Sequence, residues 1–139
     1  MKKYLNLSLI YAIAALICGV FYREFTKWNE YTNVTTLGKV HVHLLVMGMI
    51  VFLIVASFSM HQELQKYKTF RTFMCIYNIG LPITAVMMVI RGITQVLNIS
   101  LSSEANAAIS GIAGIGHILT GVGIILLLVS LKKAAENGR

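Results

Sequence analysis

The chain of 139 residues is 57% hydrophobic and only 12% charged, with one proline and a mean hydropathy of +0.75. Soluble domains carry about 25% charged residues, so this is the composition of a membrane protein. The net charge of +7 could suggest a nucleic-acid partner, but the bases are distributed as orienting charges at the ends of apolar runs facing anionic lipid, so no nucleic-acid partner is expected.

The first apolar stretch, residues 4–22, follows Lys2 and Lys3. A cleaved signal peptide would want small residues before the cut, whereas Ile17 stands before Cys18 and Tyr22 and Arg23 follow at once, so it reads as a retained helix. The connection "REFTKWNEYTNVTT" comes next and holds the one tryptophan beside Phe25 and Tyr31, the mark of an interfacial aromatic belt or, less simply, of a lid. The second stretch, 38–60, opens on "GKVHVHLLVMGM" with His41 and His43. A short polar connection, "HQELQKYKTFR", contains His61, which reads as a solvated histidine. The third stretch, 73–97, carries Arg91 and also Pro82, which cannot donate to the carbonyl of Asn78 and predicts a kink. The fourth, 107–131, is rich in small residues, "AAISGIAGIGHILTGVG", around His117.

Each stretch has about the 20 residues that a helix needs to cross a hydrocarbon core of about 30 Å. Backbone groups in lipid must be satisfied within the segment, and runs this long and uniformly apolar do not suit barrel strands. The expectation is an all-α, integral membrane four-helix bundle forming one domain over residues 1–139, multi-pass in the cell membrane of a bacterium, with the lipid bilayer as its first partner. Lys2, Lys3, Lys66, Lys68, Arg71, Lys132, Lys133 and Arg139 fall at the two termini and the middle connection, which lie on one side of a four-span protein. The positive-inside rule makes that side, and so both the N and C termini, cytoplasmic. Cys18 and Cys75 then sit at opposite depths, too far apart to pair.

Ionisable side chains inside a span cost several kcal/mol and point to function. Counted along the helices, His43 lies roughly 27 Å, His117 roughly 22 Å, and Arg91 and His41 roughly 30 Å above the inner surface. Three different helices thus place imidazole or guanidinium in the outer half. His41 and His43 are about 200° apart around a helix, so they do not ligate one ion together, and the spans supply no acid for a zinc site. A haem iron instead takes one imidazole from each side, which makes His43 and His117 the candidate axial and metal ligands and haem b the candidate cofactor. Ser110, Ala113, Gly114, Thr120 and Gly121 share the face of His117, leaving room for a flat macrocycle or, equally, for close helix packing. Arg91 is placed for haem propionates, or to snorkel to head groups. His41 is either a further cofactor ligand or a hydrogen-bonding residue at the rim.

The stretch "HVHLLVMGM" resembles the H-x-H helix of the haem–copper oxidase catalytic subunit, where the two histidines serve different haems on opposite faces. The resemblance implies that His43 ligates a low-spin haem and His41 a second one, and that the chain is similar to one four-helix arc of that subunit. By analogy with its three arcs it allows a homo-oligomer, a trimer, with haem between protomers. There is no adjacent histidine pair and no histidine–tyrosine partner for copper, so it does not extend to oxygen reduction. Across its length, with "REFTK", H-x-H and "GIGH", the chain also resembles the small four-span bacterial proteins of the domain of unknown function 2871 family. The reading reached is a b-type cytochrome-like membrane protein for electron transfer or gas chemistry, exchanging electrons with quinol or another redox partner. The competing reading is a small non-haem transporter or assembly factor whose histidines bind a metal ion or relay protons.

Overall fold

In the computed structural model, which describes residues 1–137, four helices are long and apolar enough to cross a membrane: α1 (Lys2–Trp28), α2 (Leu37–Phe58), α3 (Lys68–Val96) and α4 (Ser103–Asn137). The chain is all-helical, as its composition requires. The helices overrun the apolar stretches because polar residues continue the backbone hydrogen-bond ladder once it is nucleated. Arg23–Trp28, expected in the connection, form the last turns of α1, and the connection itself shrinks to residues 29–36. Arg139, counted above among the orienting bases, lies outside the described residues.

Helix ends follow local chemistry. At the end of α1 the Tyr31 N–H donates to the Thr26 carbonyl at 2.9 Å, with Glu30 in the left-handed region at φ 51°. The end of α3 repeats this pattern with Ile99 donating to Thr94 at 3.0 Å and Asn98 at φ 50°. Both are Schellman-type closures, which satisfy the last carbonyls of the helix. At the start of α4 the Ser102 hydroxyl accepts from the Ala105 N–H at 3.2 Å, the usual N-cap bond. Helix α3 continues without a break through Pro82, and the Asn78 side chain donates to the Met74 carbonyl at 2.7 Å.

Each helix packs on its neighbours in the chain: α1 on α2, α2 on α3 and, most extensively, α3 on α4. Helices α1 and α4 make no extended contact among the described residues, so the four form an open arc. The termini and the α2–α3 connection share one end, where Gln65 Nε2 donates to Tyr4 Oη at 2.6 Å and Asn137 Nδ2 to Tyr67 Oη at 3.3 Å. A chain of aromatic rings, Tyr11–Phe52–Tyr77–Phe73–Phe70, fills the centre of this half, each ring within 6.2 Å of the next. Cys18 and Cys75 are both free thiols.

Helix α2 is not uniform. Leu37–His43 and Val51–Phe58 are α-helical, but Leu44–Ile50 between them are wound as a π-helix. Such a segment is uncommon and disturbs the normal bonding of its carbonyls. Two neighbouring helices supply hydroxyls: Ser8 Oγ of α1 donates to the Met49 carbonyl at 2.9 Å, and Tyr77 Oη of α3 to the Met47 carbonyl at 2.6 Å. Gly48 between them lies under Tyr11, where a Cβ would stand 2.5 Å from the ring.

Candidate functional site

His43 is the last residue before the π-helix, and His117 lies in the first half of α4. Both helices pack on α3, and the two imidazoles come directly together with ring centroids 6.3 Å apart and planes at 85°. Each ring is tied to its own helix: His43 Nδ1 bonds the Lys39 carbonyl at 3.0 Å, and His117 Nδ1 the Ala113 carbonyl at 2.8 Å. A carbonyl can only accept, so Nδ1 carries the proton in both rings and Nε2 presents its lone pair. This is the arrangement in which metal-binding histidines are usually held.

With metal–nitrogen bonds of about 2.0–2.1 Å and each ring centre about 1.1 Å behind its nitrogen, a linear N–metal–N axis sets the centroids roughly 6.3 Å apart. A tetrahedral angle would draw them in to roughly 5.2 Å. The observed centroid separation of 6.3 Å equals the first of these spacings. Among the described residues no group of three or more His, Cys, Asp and Glu side chains comes together, so an ion that needs three or four protein ligands finds only two here.

The small residues of α4 divide between two jobs. Gly116, Thr120 and Gly123 are buried against α3, and a Cβ at Gly116 would lie 2.7 Å from Thr84 Oγ1 and 2.9 Å from the Thr84 nitrogen. Close helix packing explains these, and Thr120, expected on the open face, belongs with them; its hydroxyl donates to the Gly116 carbonyl at 2.8 Å. Gly114 and Gly121, at i−3 and i+4 from His117, are different: a Cβ on either would meet nothing within 4 Å. Helix packing does not account for that pair. On the packed side, against Gly116, Thr84 Oγ1 is buried without a hydrogen-bond partner among the described residues.

Arg91 reaches over this face from α3. Its Nη1 donates to Asn106 Oδ1 at 2.5 Å and its Nη2 to Ser110 Oγ at 2.7 Å, and Ser110 stands two turns along α4 from His117. No carboxylate pairs with Arg91 among the described residues. His41 is not brought to this site. It faces α1, stacked on Tyr22 at 6.5 Å and 15°, against Gly19, with its Nδ1 buried and unpartnered. The opposite facing of His41 and His43 follows from their spacing in the sequence. In the sequence Tyr22 stands only as the end of the first apolar stretch, and nothing there marks it as a partner for His41.

Residues 1–134 match the model of the family described as "Protein of unknown function (DUF2871)", and the chain belongs to that family. No curated protein and no solved structure matches it. The likeness of the H-x-H helix to the haem–copper oxidases therefore stands on that short motif alone.

Proposed function

We propose that this DUF2871 member is a membrane haem protein of b type, with His43 and His117 as the axial ligands. The observation that carries the reading is the imidazole pair itself: 6.3 Å between centroids, with both Nδ1 atoms committed to helix carbonyls. A linear bis-imidazole axis needs that separation, and the fixed tautomers leave Nε2 of each ring for iron. Gly114 and Gly121 supply bare backbone beside His117, where a flat macrocycle can approach. Arg91, a cation without a carboxylate, is the partner for propionates, and bidentate guanidinium–carboxylate bonding suits it to that role.

Bound haem would supply one-electron chemistry. With both histidines as its ligands a bound haem would keep no open position, which would favour electron transfer over catalysis. The chain's own residues set orientation and charge: the Lys39 carbonyl orients His43 just before the π-helix, α3 holds α4 and with it His117, and Arg91 would offset negative charge at the rim. With the lysines of the termini and the α2–α3 connection on the cytoplasmic side, His43 and His117 would hold the haem in the outer half of the protein.

The test is the visible spectrum of the detergent-purified protein, oxidised and then reduced with dithionite, with pyridine haemochrome quantification. About one haem b per chain, lost in both His43→Ala and His117→Ala, is the expected result. A colourless protein after expression with a haem precursor, with both variants folded as the wild type, would favour the transporter or assembly-factor reading instead.

A further inference from the structure

A cavity of about 260 Å³ opens at the end of the fold away from the termini, lined by Arg91, Thr94, Gln95, Ile99, Leu101 and Asn106. Its polar groups are biased toward donors. Gln95 Oε1 accepts from Thr35 Oγ1 at 3.1 Å, the Thr36 N–H at 2.8 Å and Thr36 Oγ1 at 3.0 Å, which ties the connection after α1 to α3. Those three bonds use the amide oxygen and turn Gln95 Nε2 away from them. Asn106 Oδ1 is likewise used by Arg91, so its Nδ2 is the free end of that amide. Neither amide nitrogen has an acceptor among the described residues. The Thr94 hydroxyl is spent on the Arg91 carbonyl at 2.8 Å.

An occupant of this cavity must therefore bring hydrogen-bond acceptors and an apolar body that fits Ile99 and Leu101. We propose that it is the head group of a lipid-borne quinone, docked as the electron-exchange partner of the haem; this rests on the haem reading. Arg91 is then committed to propionates, and what remains in the cavity is two neutral amide donors. Neutral carbonyl oxygens match these, whereas a phosphate would call on the guanidinium. Pockets that enclose a drug-sized ligand run from about 300 to 1,000 Å³, so this one takes a ring and leaves a prenyl tail in the lipid. Arg91 also links the two places: one guanidinium bonds both Asn106, on the cavity wall, and Ser110, on the face of His117. Oxidation of one quinol there would release both hydroxyl protons to water at the open rim and would pass two electrons, one at a time, to the ferric haems of two chains.

The experiment uses the full chain in nanodiscs and decylubiquinone as the probe, with bound quinone measured after separation from free. Leu101→Trp fills the cavity while leaving Arg91 and both histidines in the sequence, and Val86→Trp adds the same bulk on an exposed position elsewhere on α3. The expected result is saturable binding that weakens about tenfold in Leu101→Trp and is unchanged in Val86→Trp, with the haem spectrum intact in both. Slowed reduction of the ferric protein by decylubiquinol, but not by dithionite, accompanies it. A haem-loaded protein whose quinone binding ignores Leu101→Trp, or is displaced equally by phosphatidylglycerol, overturns the quinone site and leaves the haem reading standing. Haem-free protein that binds quinone through Leu101 overturns the haem reading and leaves the cavity assignment.

Discussion

Gly121→Ala and Gly116→Ala separate what α4 does for the fold from what it does for a cofactor. Gly116 faces backbone: its added Cβ would lie 2.7 Å from Thr84 Oγ1, 2.9 Å from the Thr84 nitrogen and 3.0 Å from Ile83 Cγ2. Ordinary contact is about 3.5–4.0 Å, so α4 must back away from α3 by roughly 1 Å, at a typical overpacking cost of about 1–3 kcal/mol. Gly121 meets nothing within 4 Å, and Gly→Ala inside an exposed helix is worth about 1 kcal/mol of helix propensity in the favourable direction. Apoprotein melting in detergent, followed by circular dichroism, should fall for Gly116→Ala and hold or rise for Gly121→Ala. Haem titration of the same preparations should give the opposite lesson for Gly121. A methyl placed in the space of a stacked ring forces the ring outward, and haem should dissociate about tenfold faster than from wild type. If Gly121→Ala binds haem as wild type does, the open face of α4 is not where the macrocycle lies. If it destabilises the apoprotein as Gly116→Ala does, the division of the glycines into two faces is wrong.

Three further outcomes follow from named contacts. Arg91→Gln removes a cation that disfavours the ferric charge, so the midpoint potential in a redox titration should move down, on the order of 50 mV, with weaker haem retention. Tyr77→Phe strips the donor from the Met47 carbonyl; a buried acceptor left unsatisfied costs about 1–3 kcal/mol, and the loosened π-helix should add a high-spin fraction to the ferric spectrum. Glu30→Gly relieves a side chain from the left-handed region at φ 51° and should raise the melting temperature, by about 1 kcal/mol in stability, with no change in haem content.

The fold was largely legible because a bilayer asks simple questions of a sequence. Four apolar runs predict the four helices, and helix periodicity alone turns His41 and His43 to opposite sides, as Tyr22 and His117 show from either flank. The depth count brought His43 and His117 to nearly one level, and their rings do meet. Other features were hidden for physical reasons. Apolar residues read alike in an α-helix and a π-helix, so nothing in "LLVMGMI" announced the change of winding; its partners, Ser8 and Tyr77, come from other helices. The small residues of α4 could not be sorted between packing and open space until the position of α3 was known. The Arg91–Asn106–Ser110 bonds join residues on both sides of the α3–α4 connection, where hydropathy is silent.

Low-temperature electron paramagnetic resonance of the ferric protein tests the histidine pair most directly, because the signal reports both axial ligands and the angle between them. Imidazole planes near 85° should give a highly anisotropic low-spin signal, accounting for about one spin per chain. In His43→Ala and in His117→Ala that signal should vanish or give way to high-spin iron. No haem iron in the wild type, or a low-spin signal that survives loss of either histidine, would contradict the assignment of His43 and His117 as the ligands.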